Sequence, residues 1–164
     1  MAKIYFSDVL DWSAEDVWAV VRDFNAYPAY IDGVSESRIE DDKPGHAVGA
    51  VRCFVYRGLR VRQRLLAHSD AERFFTYGSC EPFAFPLPTE DQPVEPIDYD
   101  GTLRVKRIVK TGKAFVEWWV NFEGGGSRDR ERWTGFFESG LRQWMASLDS
   151  HIGDARPNRD SAMP

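Results

Sequence analysis

The chain has few residues that could form a metal site or a disulfide framework. Its 164 residues include only two cysteines and three histidines. No group of His, Cys, Asp and Glu has the spacing of metal ligands, so we expect neither a metal nor another cofactor. Two cysteines can bridge only on neighbouring strands, and we interpret Cys53 and Cys80 as buried thiols in a reducing cytoplasm.

An excess of positive charge and a long apolar run are also missing. The 21 Lys and Arg residues are outnumbered by 26 Asp and Glu residues, which argues against a nucleic-acid binder. No apolar run reaches the roughly 18 residues of a membrane-spanning helix, and residues 1–8 lack the features of a signal peptide. With 43% hydrophobic and 14% aromatic residues, the composition indicates one soluble cytoplasmic domain with a sizeable core.

The N-terminal region predicts a strand followed by two short helices. Residues 3–10 are typical of a strand, and Ser13 with Asp16 resembles the capping signal that begins a helix. An apolar stripe at helical spacing follows, formed by Val17, Val20, Val21 and Phe24. Pro28 disfavours helical geometry at the residue before it, so we expect a second helix at about 28–31.

The middle of the chain changes to strands and turns. The pattern predicts strands at 34–40, 48–56, 59–68, 74–80, 99–109 and 113–123, mostly joined as hairpins. The strongest period-two alternation lies at 59–65, where three arginines alternate with three apolar residues and Gln63. Residues 81–97 contain five prolines and predict a long irregular loop.

The C-terminal region predicts one long amphipathic helix after a flexible glycine connector at 124–127. Its apolar stripe consists of Trp133, Phe137, Leu141, Trp144, Leu148 and Ile152. Gly140 costs about 1 kcal/mol in a helix relative to alanine, which suggests close packing there. We expect a single domain over 1–152 and a disordered tail over 153–164. An antiparallel sheet of about seven strands curved around this helix, an α+β fold, would enclose a cavity.

Several strings, in this order along the chain, resemble the START-like helix-grip superfamily, also called SRPBCC. They are SAEDVWAVVRDFNAYPAYI, VGAVRCF, RQRLLAHSDAERFFTYG, YDGTLRV, VEWWVNF and TGFFESGLRQWM. The superfamily includes polyketide cyclase/dehydrase-type proteins and plant hormone receptors. The resemblance implies a helix-grip fold and a hydrophobic ligand bound between the sheet and the C-terminal helix. It implies the architecture more firmly than the chemistry.

Polar residues on the expected inner face of the sheet are candidates for ligand recognition. Gln63 alternates with the outward arginines and needs a hydrogen-bonding partner if it is buried; a core glutamine bonded to the next strand is an equal alternative. Arg52 shares its face with Phe54 and Tyr56. Tyr77 and Tyr99 lie on neighbouring strands, where their hydroxyls could orient a ligand or simply belong to the core.

The strand at 113–123 gives conflicting indications. Amphipathicity sends the apolar face (Val116, Trp118, Val120, Phe122) inward and Glu117 outward. The family resemblance suggests the reverse, with Glu117 and Trp119 near the cavity and the apolar face covered by a partner subunit. Arg57, Arg60, Arg62 and Arg64 are interpreted as a solvated outer face, with an anion-binding platform as the alternative.

Three hypotheses follow. The first is a binding protein, a carrier or sensor, for a hydrophobic or aromatic small molecule. The second is an enzyme similar to polyketide cyclases, aromatases or dehydratases, with Arg52 and Glu117 as catalytic candidates. The third is a homodimeric interaction module that uses Trp118 and Phe122. The expected ligand-binding residues are Tyr27, Arg52, Phe54, Tyr56, Val61, Gln63, Tyr77, Tyr99, Glu117, Trp119, Phe137 and Leu141. We expect Tyr27, Pro28 and Tyr30 at the cavity mouth.

Overall fold

The computed structural model describes residues 1–84 and 94–155. Seven strands and three α-helices follow one another in the order expected of an α+β chain. The elements are β1 (Ala2–Ser13), α1 (Ala14–Val21), α2 (Tyr27–Tyr30), β2 (Val34–Ile39), β3 (Val51–Tyr56), β4 (Leu59–Ser69), β5 (Phe74–Ser79), β6 (Ile97–Arg107), β7 (Lys113–Gly124) and α3 (Gly126–Ala155). A 3-10 turn at Glu40–Asp42 follows β2.

The first helix begins where the sequence predicts, and the second begins at Tyr27, one residue before the predicted start. The hydroxyl of Ser13 accepts a hydrogen bond of 3.1 Å from the backbone N–H of Asp16, which satisfies an otherwise unpaired donor of the first turn. Pro28 lies in the first turn of α2, where a missing N–H costs nothing. The apolar stripe of α1 and Phe24 are buried, so this face packs into the core.

All seven strands form one sheet in the order β1-β7-β6-β5-β4-β3-β2. Every neighbouring pair is antiparallel. The sheet curves around α3, which confirms the predicted helix-grip fold. Because side chains alternate along each strand, one face of the sheet points to the helix and the other points away from it.

Helix α3 covers the inner face of the sheet. Its buried stripe contains Trp133, Phe137, Leu141, Met145, Leu148 and Ile152, whereas Trp144 is only half-buried. The helix starts within the glycine run and continues to Ala155, so residues 153–155 extend the helix and do not belong to the predicted tail. The rest of that tail, 156–164, lies outside the described residues.

Two further boundaries differ from the prediction. Strand β3 begins at Val51 rather than Val48, and β6 begins at Ile97, inside the proline-rich segment. Ile97 forms a β-bridge with Phe83, and most of the remaining loop, 85–93, lies outside the described residues. Cys53 is buried, but Cys80 is only half-buried; both are free thiols. No helix among the described residues combines the length and apolarity needed to span a membrane.

Candidate ligand-binding cavity

A cavity of about 50 Å³ lies between the inner face of the sheet and α3. Apart from Gln63, every described residue of its wall is aromatic or aliphatic. The wall consists of Tyr27, Ile31, Val34, Phe54, Tyr56, Val61, Gln63, Tyr77, Phe83, Tyr99, Trp118, Val120, Phe136, Phe137 and Trp144. Ligand cavities usually measure about 300–1,000 Å³, so a drug-sized molecule must displace side chains to enter.

Most of the predicted ligand-binding residues meet at this cavity. The structure places eight of them in the wall: Tyr27, Phe54, Tyr56, Val61, Gln63, Tyr77, Tyr99 and Phe137. They come from α2, four strands and α3. Segments that are distant in sequence therefore meet at one cavity, because the inward-facing side chains of each segment point towards it.

Arg52 faces inward but lies behind the cavity wall. Its side chain is completely buried, and its guanidinium carbon lies 3.8 Å from the ring centroid of Phe24 and 3.5 Å from that of Tyr27. Nη1 donates a hydrogen bond of 3.0 Å to the backbone carbonyl of Phe24. Stacking on aromatic faces partly replaces the water that a buried cation loses.

Gln63 connects Arg52 to the cavity. Its Oε1 accepts hydrogen bonds from Nε and Nη2 of Arg52, at 2.9 and 2.5 Å. Its Nε2 donates to the hydroxyl of Tyr99 at 2.6 Å. The amide is therefore satisfied on both sides, and the inward orientation predicted for Gln63 is confirmed.

Tyr77 is held in the wall by a second polar contact. Its hydroxyl accepts a hydrogen bond of 3.0 Å from the indole N–H of Trp118. Its ring passes over Gly101 on the neighbouring strand, where an added Cβ would lie 2.4 Å from the Tyr77 ring and hydroxyl. Burial raises the pKa of both Tyr77 and Tyr99, so both hydroxyls keep their protons.

Glu117 and Trp119 lie on the outer face of the sheet, which corrects their predicted place at the cavity. Glu117 accepts hydrogen bonds from the Tyr5 hydroxyl at 2.7 Å and from Nε of Arg104 at 2.8 Å. Burial acts to raise the pKa of Glu117, but these hydrogen bonds and the charges of Arg104 and Lys106 outweigh it and lower the pKa. The carboxylate has no access to a ligand in the cavity.

The apolar face of β7 is the inner face, as amphipathicity predicted. Trp118 and Phe122 are 1% and 2% exposed within a single chain, so they cannot form the dimer surface that the third hypothesis required. Leu141 is buried in the core, and it is not part of the described cavity wall. Tyr30 is likewise buried away from the wall, which corrects its placement at the mouth.

Sequence reasoning missed seven residues of the wall: Ile31, Val34, Phe83, Trp118, Val120, Phe136 and Trp144. For Trp118 and Val120 the signal is the apolar alternation of β7, against which the family resemblance suggests the opposite orientation of the strand. Trp144 belongs to the stripe of α3, and Gly140 marks its position: an added Cβ would lie 2.7 Å from the Trp144 indole. Glycine thus lets the indole fold back over the helix.

Trp144 and Tyr56 separate the cavity from a cleft on the surface. Both side chains contribute to the cavity wall and to this cleft, which also includes Asp32, Arg57 and Gln143. The indole N–H of Trp144 donates a hydrogen bond of 3.1 Å to the Tyr56 hydroxyl. This pair therefore forms a thin, partly exposed section of the wall.

The arginines of β4 point outward, as the alternation predicted. Arg62 forms a bidentate ion pair with Glu40, with both distances 2.8 Å, and a further one with Glu81. Arg60 and Arg64 are exposed. Within 1–84 and 94–155, no group of three or more His, Cys, Asp or Glu residues could hold a metal ion.

The sequence matches the model of one protein family over residues 1–152, described as polyketide cyclase / dehydrase and lipid transport. The chain belongs to this family. Among curated proteins, none matches the chain.

This member of the polyketide cyclase / dehydrase and lipid transport family is similar in fold to several solved structures. A protein of Nitrosospira multiformis is 23% identical with a TM-score of 0.72, covering 99% of this chain and 100% of its own. The di-domain ARO/CYC BexL is 14% identical with a TM-score of 0.70, covering 93% and 47%. Major latex-like protein 151 of Panax ginseng is 12% identical with a TM-score of 0.67, covering 92% and 97%. These identities establish the shared fold alone.

Proposed function

We propose that the protein binds a hydrophobic or aromatic small molecule in the cavity between the sheet and α3, as a carrier or sensor. The observation that carries this proposal is the wall itself, in which aromatic and aliphatic side chains surround one buried amide. Such a wall favours an apolar molecule with a few polar groups.

The composition of the wall favours binding over catalysis. Among its described side chains there is no carboxylate, imidazole or thiol that could exchange a proton near neutral pH. Arg52 and the outer-face Glu117, the two catalytic candidates, do not contribute to the wall. A cyclase or dehydratase reaction in this cavity would have to rely on the tyrosine hydroxyls.

Binding is tested by extracting small molecules from natively purified protein and identifying them by mass spectrometry. Binding of an apolar fluorescent dye is then measured for the wild type, for Val61→Phe and for Val9→Phe. The first substitution fills the cavity, whereas Val9 is 48% exposed on the surface. We expect dye binding to be lost only in the folded Val61→Phe variant.

Circular dichroism establishes whether Val61→Phe is folded, and Val120→Phe provides a second cavity-filling variant. The proposal is wrong if the wild type contains no ligand and binds no dye, or if both folded cavity-filling variants bind dye as the wild type does. Turnover of a polyketide-like substrate by the wild type would instead support the enzyme hypothesis.

A further inference from the structure

The hydroxyl of Tyr77 has a proton that no described residue accepts. Its oxygen accepts a hydrogen bond from the indole N–H of Trp118. Because an indole nitrogen can only donate, Tyr77 must direct its own proton elsewhere. Tyr77 is part of the cavity wall, and the cavity is the space available to a partner.

Tyr99 is constrained in the same way by a different residue. Arg52 can only donate hydrogen bonds, so the oxygen of the Gln63 amide must face Arg52 and its nitrogen must face Tyr99. Tyr99 therefore accepts from the amide, and within the described part of the chain its proton also lacks an acceptor. Two independent contacts thus leave two hydroxyl donors unused in one cavity wall.

The charge behind the wall favours an electron-rich partner. Arg52 is fully buried, and no carboxylate of the described residues lies within salt-bridge distance of it. A guanidinium stays protonated in proteins, so its positive charge is not neutralised locally. Hydrogen bonds in a chain polarise one another, so the contact through Gln63 makes Tyr99 a stronger donor.

We propose that Tyr77 and Tyr99 donate hydrogen bonds to carbonyl oxygens of the ligand, and that Arg52 is a positioning residue that acts through Gln63. This inference rests on the proposed function and specifies its ligand class. The cavity selects aromatic ketones over hydrocarbons of the same shape. A carbonyl oxygen suits the site because it accepts hydrogen bonds and requires no acceptor in return.

The test compares acetophenone, which has a carbonyl oxygen, with cumene, a hydrocarbon of similar shape. Binding is measured for the wild type, Tyr77→Phe, Tyr99→Phe and the double variant. Since one hydrogen bond contributes about 1 kcal/mol, we expect each substitution to weaken acetophenone binding about fivefold. Cumene binding should be unchanged. The control is Tyr5→Phe on the outer face, which should bind both compounds as the wild type does.

The carbonyl stretch of bound, isotope-labelled acetophenone provides a direct readout of the hydrogen bonds. We expect a lower wavenumber in the wild type than in an apolar solvent, and a higher one in each Tyr→Phe variant. Arg52→Met should raise the wavenumber partway, a change that loss of stability alone would not produce. Circular dichroism identifies which variants are folded.

The outcomes separate this inference from the proposed function. If cumene and acetophenone bind equally well, or if the carbonyl band is the same in the folded double variant, carbonyl recognition is refuted while cavity binding stands. If neither compound binds the wild type, both proposals are refuted. An unchanged band in folded Arg52→Met refutes the role of Arg52.

Discussion

The guanidinium group of Arg52 is stacked on the ring of Tyr27, with 3.5 Å between the guanidinium carbon and the ring centroid. The ring centroid of Phe24 lies 3.8 Å from the same carbon. Arg52 has no carboxylate partner among the described residues, and such a buried cation is unfavourable for folding unless hydrogen bonds and aromatic rings compensate for the lost water. This arrangement therefore depends on Gln63 and on the backbone carbonyl of Phe24 as acceptors.

Removing either partner of the Arg52–Gln63 contact should destabilise the fold. We expect Arg52→Met to lower the free energy of unfolding by about 1–3 kcal/mol, because Gln63 and the Phe24 carbonyl lose their donors. Gln63→Leu should cost at least as much, since it leaves buried charged donors unpaired. The double variant should cost less than the sum of the two.

Urea unfolding monitored by circular dichroism gives these free energies. Arg60→Met, an exposed arginine on the outer face of β4, is the matched control and should change stability little. Strict additivity of the two substitutions would contradict the coupling.

Trp144 should limit the rate at which a ligand enters. Its indole N–H bonds to the Tyr56 hydroxyl between the cavity and the surface cleft. Trp144→Phe removes this hydrogen bond and reduces the side chain, so we expect an apolar dye to associate and dissociate faster in stopped-flow fluorescence. The control Trp119→Phe changes a tryptophan of the outer face. Identical rates in all three proteins would exclude this route.

Two glycines of α3 should respond in opposite ways to alanine. Nothing lies within 4 Å of an added Cβ at Gly135, whereas at Gly140 the Cβ would lie 2.7 Å from the Trp144 indole. Gly135→Ala should stabilise the protein by about 1 kcal/mol through helix propensity. Gly140→Ala should gain less or lose stability, because the indole must move. If urea unfolding shows the same increase in the free energy of unfolding for both variants, the Trp144 indole moves aside without an energetic cost.

Glu117 should contribute to stability and not to ligand binding. Glu117→Gln weakens charge-assisted hydrogen bonds from Tyr5 and Arg104, and we expect a loss of about 1–3 kcal/mol in the free energy of unfolding. Dye affinity of the folded variant should equal that of the wild type. A selective loss of dye affinity would restore Glu117 to the ligand site.

The acid stability of the protein should depend on Asp129. A hydrogen bond from the backbone N–H of Glu95 and others from Arg132 and Arg128 lower the pKa of Asp129 to about 2, although burial acts to raise it. A carboxylate with a lowered pKa in the folded state stabilises the fold above its unfolded pKa of 3.8. This contribution is lost as the pH falls towards 2.

Asp129→Asn should therefore destabilise the protein near neutral pH and make its stability less dependent on pH between about 4 and 2. Thermal unfolding at a series of pH values measures both effects. Glu138→Gln, which changes an exposed carboxylate on the same helix, should leave the pH profile unchanged. A wild-type profile in Asp129→Asn would contradict the assignment.

Alternation and helical spacing were sufficient to predict the fold of this chain. Period two in β4 gave the correct orientation of Gln63 and the arginines, and the stripe of α3 gave the helix that covers the sheet. These patterns are local and repeat over many residues, so a single residue that departs from the pattern does not change the type of element predicted. The end of α3 was harder to predict because residues 153–155 continue the helix without apolar periodicity.

The composition of the site could be predicted less well. The family resemblance predicts Glu117 at the cavity, whereas the alternation of β7 predicts it on the outer face; a one-residue shift reverses the orientation of every side chain of a strand. The alternation of β3 predicts the correct face for Arg52. Its position behind the cavity wall, however, depends on the rings of Phe24 and Tyr27, which come from another part of the chain. Such contacts have no counterpart in local sequence patterns.

β1 and β7, the first and last strands in sequence, are neighbours in the sheet, and their pairing affects how the chain folds. The hydrogen bond between Tyr5 and Glu117 spans 112 residues. Long-range pairing of this kind raises the contact order and slows folding. During synthesis β1 must wait, without its partner strand, until β7 (Lys113–Gly124) has left the ribosome. The inner aromatic surface stays open to water until α3, which follows β7, covers it, so we expect the incomplete chain to be prone to aggregation during that interval.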